Sequence, residues 1–588
     1  MSAVDRRISA GLAALAAVAV ATLAYAGALD APFYLDDHAS IVDNPWIRWD
    51  GLRLDWLGRT LFDAPTARPV AYLSFALNHW ATGLDPAGFR VVNVALLVAS
   101  GLLVIQLVRR LTARLHPQAS DGARAAMAVL AGLLFVAHPL QTQAVTYLVQ
   151  RMTELSVFFY LLALLAWLRA RDATERGRRI RNASACALAW ALALGSKEIA
   201  ITLPAAIWLI EWFAYRDLDS GFARRSALRL GLPLLLIGFA AYAWLMGGSG
   251  YAGRSFTVGE RLLSELRVTW IYLGLALLPA PSRFNLLYDL PLSHSLLDPP
   301  TTALAALGLL GLAGLAIATA RRVPLLSFGL AWAGLQLLLE SAILPLALVF
   351  EHRMLLPSVG LAAAAGGGLV QAFRGRVAPA LAVGLVAVLA LGLASRARNA
   401  VWSDELQLWS DVVAKSPGLV AAQNNLAMAL ARAGRVREAQ LALERALAID
   451  PGDPEALNNR GVQALERGEP AAAIADFRAA LARSPRHPRA LYNLGRAVAL
   501  GGDPEAALPW LEAATEADPD AAPLWNGLGA VQVELGRLDA AEVSFRRAAA
   551  LDPGNLEVRG NLAVVRQLRG AQREEGSSPG DAGRRPAR

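Results

Sequence analysis

The chain has 588 residues, 55% of them hydrophobic and 18% charged, with a formal net charge of +8 and a mean hydropathy of +0.39. Soluble domains carry about 25% charged residues, so a single soluble globule is excluded. The 49 Gly and 31 Pro follow no short period, which excludes a collagen-like chain. Cys186 stands alone, so no internal disulfide and no cysteine-based zinc site can form. Only two of the 56 basic residues, Lys197 and Lys415, are lysines. The arginines sit in short runs between apolar segments, the pattern of a membrane protein rather than of a nucleic-acid-binding face.

Apolar stretches long enough to cross a bilayer as helices fall at 8–28, 91–108, 124–138, 153–168, 182–195, 199–215, 228–246, 302–319, 324–344, 354–371 and 377–395. The first follows Arg6 and Arg7 and has a longer apolar core than a signal peptide, so it reads as a retained helix. Arginine runs at 109–114, 169–181, 216–225, 321–322 and 374–376 then face the cytoplasm with the N-terminus. Eleven spans put the loops 30–90, 139–152, 196–198, 247–301 and 345–353 outside, with everything after residue 398. Residues 262–280 must then begin and end outside, as a re-entrant or interface-lying helix. A twelfth span there would reverse the C-terminal region.

Beyond residue 402 the pattern becomes a repeat. Pro417, Pro451, Pro485, Pro519 and Pro553 recur every 34 residues, as do Gly434, Gly468, Gly502 and Gly536. Ala439, Ala473, Ala507 and Ala541 keep the same step, with Leu443, Phe477, Leu511 and Phe545 at the large position. This is the tetratricopeptide (TPR) signature. Small Ala lets paired helices approach, Gly makes the turn and Pro ends the second helix. The fold class is therefore all-α: a polytopic membrane domain over 1–398, a solenoid over 403–570 with four full repeats and terminal half-repeats, and a polar, disordered tail over 571–588.

The outward loops hold most of the unexplained ionisable residues, where charge at the membrane face marks function. Asp36 and Asp37 follow the first span and are placed to take a proton or hold a cation; a solvated cap before Pro45-Trp46 is the competing reading. His138, Gln143, Arg151 and Glu154 form a second cluster, although Arg151 and Glu154 could simply pair at i, i+3. Lys197 offers a compact point charge in a chain that otherwise uses Arg; Lys415, in the solenoid, cautions against reading too much into it. Glu351, His352 and Arg353 form a fourth cluster. Glu211, toward the inner end of its span, reads as buried or snorkelling. Almost no other charge lies mid-span, which argues against a transporter.

The segments YLDDHASIVDNPWIR (34–48), RPVAYLSFALNHW (68–80), HPLQTQAVTYLVQRMTELSVFFYLLALLAWLRAR (138–171), SKEIAITLPAAIWLIEW (196–212) and EHRMLLPSVG (351–360) resemble bacterial relatives of the TMTC family. These are transmembrane O-mannosyltransferases with TPR repeats, in the GT-C glycosyltransferase class. The resemblance covers the chain up to its tail. It implies a sugar donor on a polyprenyl-phosphate carrier and an acidic residue of the first outward loop, here Asp36 or Asp37, as base. It makes Lys197, Arg151 and Arg353 the candidates for the carrier phosphate, with His138, Gln143, Glu351 and His352 next. Some members of the class use a divalent metal, which Asp36 and Asp37 would hold. The expected protein is a bacterial inner-membrane transferase, its TPR domain periplasmic and gathering a protein acceptor. The alternatives are transfer to a glycan or lipid, and a non-catalytic TPR scaffold for periplasmic assembly.

Overall fold

The computed structural model describes residues 3–64, 66–216, 218–226, 256–341, 346–552 and 554–576. Among the described residues every regular element is a helix, and the chain forms two compact units, Met1–Leu408 and Trp409–Arg588.

In the first unit the principal helices are α1 (Ala3–Tyr25), α2 (Pro69–Thr82), α3 (Pro86–Leu115), α4 (Asp121–Ala137), α5 (Arg151–Arg171), α6 (Arg176–Leu194), α7 (Leu203–Ile210), α8 (Val258–Leu277), α9 (Thr301–Thr319), α10 (Pro324–Glu340), α11 (Pro357–Ala372) and α12 (Val377–Val401). Proline opens α2, α3, α10 and α11, where a first-turn residue needs no amide proton. The most enclosed is α5, which packs against α3 and α6.

Among the described residues, six helical segments are long and apolar enough to cross a bilayer, against the eleven expected of the whole chain: 11–28, 86–115, 148–171, 198–215, 301–319 and 377–401. A seventh exists if α4 and the helical piece after it, bent by 51° at Pro139, form one span. Helices α10 and α11 are apolar, but at 17 and 16 residues they fall short of the ~20 a straight crossing needs. Four arginines in the first six residues of α6 dilute its apolar length. The expected span at 228–246 lies outside the described residues. The segment expected to be re-entrant is an unbroken 20-residue helix, α8, opened by a Thr257/Glu260 capping box. It lacks the break of a re-entrant hairpin, and its buried face carries Arg261 and Glu265.

Glu211 accepts Arg171 at 3.2 Å and Arg216 at 3.1 Å. Asp172 accepts Arg114 at 2.6 Å, and Arg114 and Arg171 both lie on the Tyr215 ring. Glu211 is therefore a structural ion-pair member.

The second unit is built by the 34-residue period. Helix pairs Val420–Arg432/Val436–Ile449, Pro454–Glu466/Pro470–Arg483, Pro488–Leu500/Pro504–Ala517 and Ala522–Glu534/Leu538–Leu551 are each joined at a Gly with φ between +72° and +92°, a region that L side chains avoid. Ala439, Ala473, Ala507 and Ala541 are fully buried. A Cβ on Gly461 would lie 2.5 Å from the Phe477 ring, so a larger residue there would push the paired helices apart. Buried asparagines fix the stacking: Asn493 donates to Asn458 at 2.9 Å, and Asn459 to Asn424 at 2.8 Å. Lys415 pairs with Asp411 one turn away. The last helix runs from Leu556 to Gly576, so helix enters the stretch expected to be tail; residues 577–588 lie outside the described residues.

Candidate active site

The first loop turns at Leu35, whose φ of +43° puts a branched residue in the left-handed region, at a cost on the order of 1 kcal/mol. That turn sends the two adjacent carboxylates opposite ways. Asp37 is fully buried; it accepts the Val149 amide at 2.7 Å and the Tyr34 amide at 3.0 Å. Burial pushes its acid constant up to about 7, against the opposing pull of those amides. Asp36 is exposed, and its amide donates to the Tyr147 hydroxyl at 3.0 Å. Arg90 ties down the chain before the loop by donating to the carbonyls of Leu29 at 3.0 Å and Pro32 at 2.7 Å, and also to Ala31. The two aspartates expected to act together thus divide: Asp37 braces the loop and Asp36 faces out.

The stretch from His138 to Glu154 is the hub of the site. Arg151, expected at the carrier phosphate, is instead buried and donates to Asn93 at 2.7 Å, Asn78 at 2.8 Å and the Phe89 carbonyl at 2.7 Å, between the rings of Phe75 and Phe89. These protein acceptors occupy the fork, so Arg151 locks α2, α3 and α5 together. It makes no i, i+3 pair with Glu154, whose two buried carboxylate oxygens have no hydrogen-bond partner.

His138 is also engaged. Its Nδ1 accepts the Leu140 amide at 3.2 Å and its Nε2 lies 3.0 Å from the Ala276 carbonyl, so the ring is a neutral cap. Gln143 Oε1 takes both the His352 amide at 2.9 Å and His352 Nδ1 at 3.1 Å. The His352 proton therefore sits on Nδ1, leaving Nε2 as an acceptor. Burial, with Lys197, Arg353 and Arg68 nearby, holds this imidazole well below its ordinary range, hence neutral. The Gln143 amide nitrogen is buried without a partner. Glu351 accepts the Asn285 amide at 2.7 Å and the Tyr288 hydroxyl at 2.8 Å, which fastens the 285–288 loop.

Lys197 and Arg353 reach one buried ionic belt, joined by residues the sequence reading missed. Lys197 Nζ pairs with Glu340 at 3.2 Å and donates to Thr153 at 3.1 Å. Arg261 pairs with Glu265 at 3.0 Å and donates to the Glu340 carbonyl at 2.7 Å. Arg353 lies 3.8 Å from Glu265 and donates to the carbonyls of Leu348 at 2.8 Å and Ala347 at 2.6 Å. Every side chain of this belt is at most 6% exposed. Among the described residues it joins Lys197, Arg261 and Arg353 to Glu340 and Glu265. Beside it, half-exposed Arg68 grips Glu198 with two nitrogens, at 2.9 and 3.1 Å, and reaches Met152. Glu340 was hidden inside a stretch read as apolar, where its charge was the available signal; Arg261 and Glu265 were visible as the amphipathic opening of the 262–280 helix but not as part of the site.

Asp36 and Asp37 do not make a metal site together. The buried oxygens of Asp37 already accept backbone amides, and no three His, Cys, Asp or Glu gather among the described residues.

A tetratricopeptide repeat model matches residues 406–454, 424–477, 458–522 and 511–556. Protein O-mannosyl-transferase Tmtc1 of Drosophila melanogaster is 33% identical over 297 residues, covering 48% of this chain and 30% of that protein. Protein O-mannosyl-transferase TMTC1 of Mus musculus is 34% identical over 174 residues, covering 28% and 17%. Protein O-mannosyl-transferase tmtc2 of Xenopus laevis is 29% identical over 224 residues, covering 35% and 25%. The chain thus spans less than a third of the length of these relatives. Over up to about half of its own length it is similar to TMTC O-mannosyl-transferases, and its C-terminal region is a tetratricopeptide repeat array.

Proposed function

We propose that this chain is a multi-pass membrane glycosyltransferase that moves a sugar, mannose by its relatives' names, from a polyprenyl-phosphate carrier to hydroxyls of a protein acceptor held by the TPR array. The observation that carries this reading is the buried belt that draws Lys197, Arg261 and Arg353 together around Glu340 and Glu265. Gathering buried cations is costly unless anions pair with them. A phosphate at the end of a lipid is such an anion at this depth. A pure anchor for the repeats has no use for the belt.

In this reading Asp36 is the general base, since it is the carboxylate of its pair that solvent reaches. The acceptor hydroxyl gives its proton to Asp36 as its oxygen bonds to the anomeric carbon. The bond from that carbon to the carrier phosphate breaks, and its electron pair leaves on the phosphate oxygen. Lys197, Arg353 and half-exposed Arg68 stabilise the charge that develops there. The Gln143 amide nitrogen and His352 Nε2 are a donor and an acceptor for sugar hydroxyls. The enzyme sits in the bacterial inner membrane with its N-terminus cytoplasmic and its repeats periplasmic, as the arginine runs indicate.

The test is transfer by purified full-length protein from polyprenyl-phosphate mannose to a periplasmic protein extract. Label in protein with wild type, abolished by Asp36→Asn, supports the reading. Full transfer by Asp36→Asn refutes the base assignment. Label appearing only in lipid or glycan refutes the protein acceptor.

A further inference from the structure

We infer that Tyr147 is the positioning residue for Asp36, holding an otherwise unsupported carboxylate in one orientation. The inference rests on the reading of Asp36 as base.

Asp36 faces solvent on a loop just past a left-handed turn. An exposed aspartate in such a place samples several rotamers, and only a fraction point at a bound acceptor. The Tyr147 hydroxyl is the group that meets it. The oxygen accepts the Asp36 amide at 3.0 Å, which leaves the phenol proton to donate. The carboxylate of the same residue stands close enough to raise the phenol's acid constant further. One phenol thus holds the backbone of Asp36 and offers its proton on the side where that residue's carboxylate lies.

The grip is rigid because the ring is fixed. Tyr147 is buried and packs against Trp402, with ring centroids 6.1 Å apart. Trp402 is fully buried and meets the Tyr34 ring edge-on at 5.6 Å, while its carbonyl accepts the Tyr34 hydroxyl at 2.6 Å. Tyr34 opens the loop and Tyr147 closes on it, so the same indole braces both ends of the Tyr34–Asp37 turn. Next to Tyr147, Thr146 donates to Asn399 at 2.6 Å, which pins the hub segment to α12. Burial raises the phenol's own acid constant, so Tyr147 stays a proton donor and does not compete as the base. A phenol proton given to one carboxylate oxygen on substrate binding leaves the other oxygen for the acceptor hydroxyl.

The decisive variant is Tyr147→Phe, which keeps the ring on Trp402 and removes only the hydroxyl. With purified full-length protein, kcat should fall about 10- to 100-fold, while KM for polyprenyl-phosphate mannose stays within about twofold. The acid limb of the kcat–pH profile should move to higher pH, because the donor that would favour the charged carboxylate is gone. Tyr147→Phe added to Asp36→Asn should cost nothing further. Unchanged kcat and profile in Tyr147→Phe, with Asp36→Asn inactive, would overturn this inference and leave the base intact. Full activity of Asp36→Asn would overturn the base itself. Tyr147→Leu reports on packing: if it and Tyr147→Phe lose activity equally with an unmoved pH profile, the role is structural and the inference fails.

Discussion

Removing Glu340 tests the ionic belt most directly. Its carboxylate lies 3.2 Å from Lys197 Nζ, with the two side chains 5% and 6% exposed. In Glu340→Gln the ammonium keeps the Thr153 hydroxyl at 3.1 Å but loses its counter-charge. Breaking a buried pair from one side costs about 3–5 kcal/mol, because the remaining charge stays desolvated. Replacing both partners, as in Lys197→Met with Glu340→Leu, should restore most of that stability, since well-packed apolar pairs are often neutral or better. The double variant should still transfer poorly. A lost charge-assisted contact to phosphate is worth about 1.5–3 kcal/mol, or a rise of roughly 10- to 100-fold in donor KM. Thermal unfolding in detergent and donor titration separate the two effects. A Glu340→Gln cost below about 1 kcal/mol would refute the buried pair. An unchanged donor KM in the stable double variant would refute the role of Lys197 at the phosphate.

Asp37 should make stability fall with pH. Its folded constant near 7 lies above an unfolded value near 3.9, so the folded state binds the extra proton between them. Stability is full below about pH 4 and is lost as pH rises through 7, by up to about 4 kcal/mol; Asp37→Asn should flatten that slope in thermal melts, and an unchanged slope would refute it. In the solenoid, Gly461→Ala should cost about 1–3 kcal/mol by driving a methyl into Phe477, read by the repeat unit's unfolding transition; no loss would mean that the helices can separate freely. Deleting residues 403–570 should spare donor use by the membrane domain and weaken transfer to protein; equal transfer to every acceptor would count against recruitment. A reporter active only in the cytoplasm, fused after residue 570, should stay silent, and a signal would reverse the orientation.

The repeats were the most legible part of the chain. Each diagnostic position answers a local demand: a left-handed turn at Gly468, or a close approach at Ala473. The membrane helices were legible in position but less so in number. Apolar length was readable, yet the breaks at Pro139 and within 198–215 and the short α10 and α11 depend on what packs beside them. Of the site, the motifs around Asp36, Gln143, Lys197 and His352 were visible as polar islands at span ends. Their division of labour was not.

By itself, the sequence determined an all-α chain, the 34-residue solenoid and the four polar clusters, because periodicity, turn residues and hydropathy act over a few residues. Only the tertiary structure decided which charges the protein itself engages. Arg151 and Asp37 looked as available as Lys197 and Asp36, but the groups that occupy them come from Asn78, Asn93 and Val149, distant in the chain or across a turn. Glu340 looked like a flaw in an apolar helix, and Arg261 like the polar side of an amphipathic helix end, until helices far apart in sequence met around Lys197 and Arg353. A charge is defined chemically by what surrounds it, and in a helical bundle those surroundings are assembled from segments that no local pattern connects.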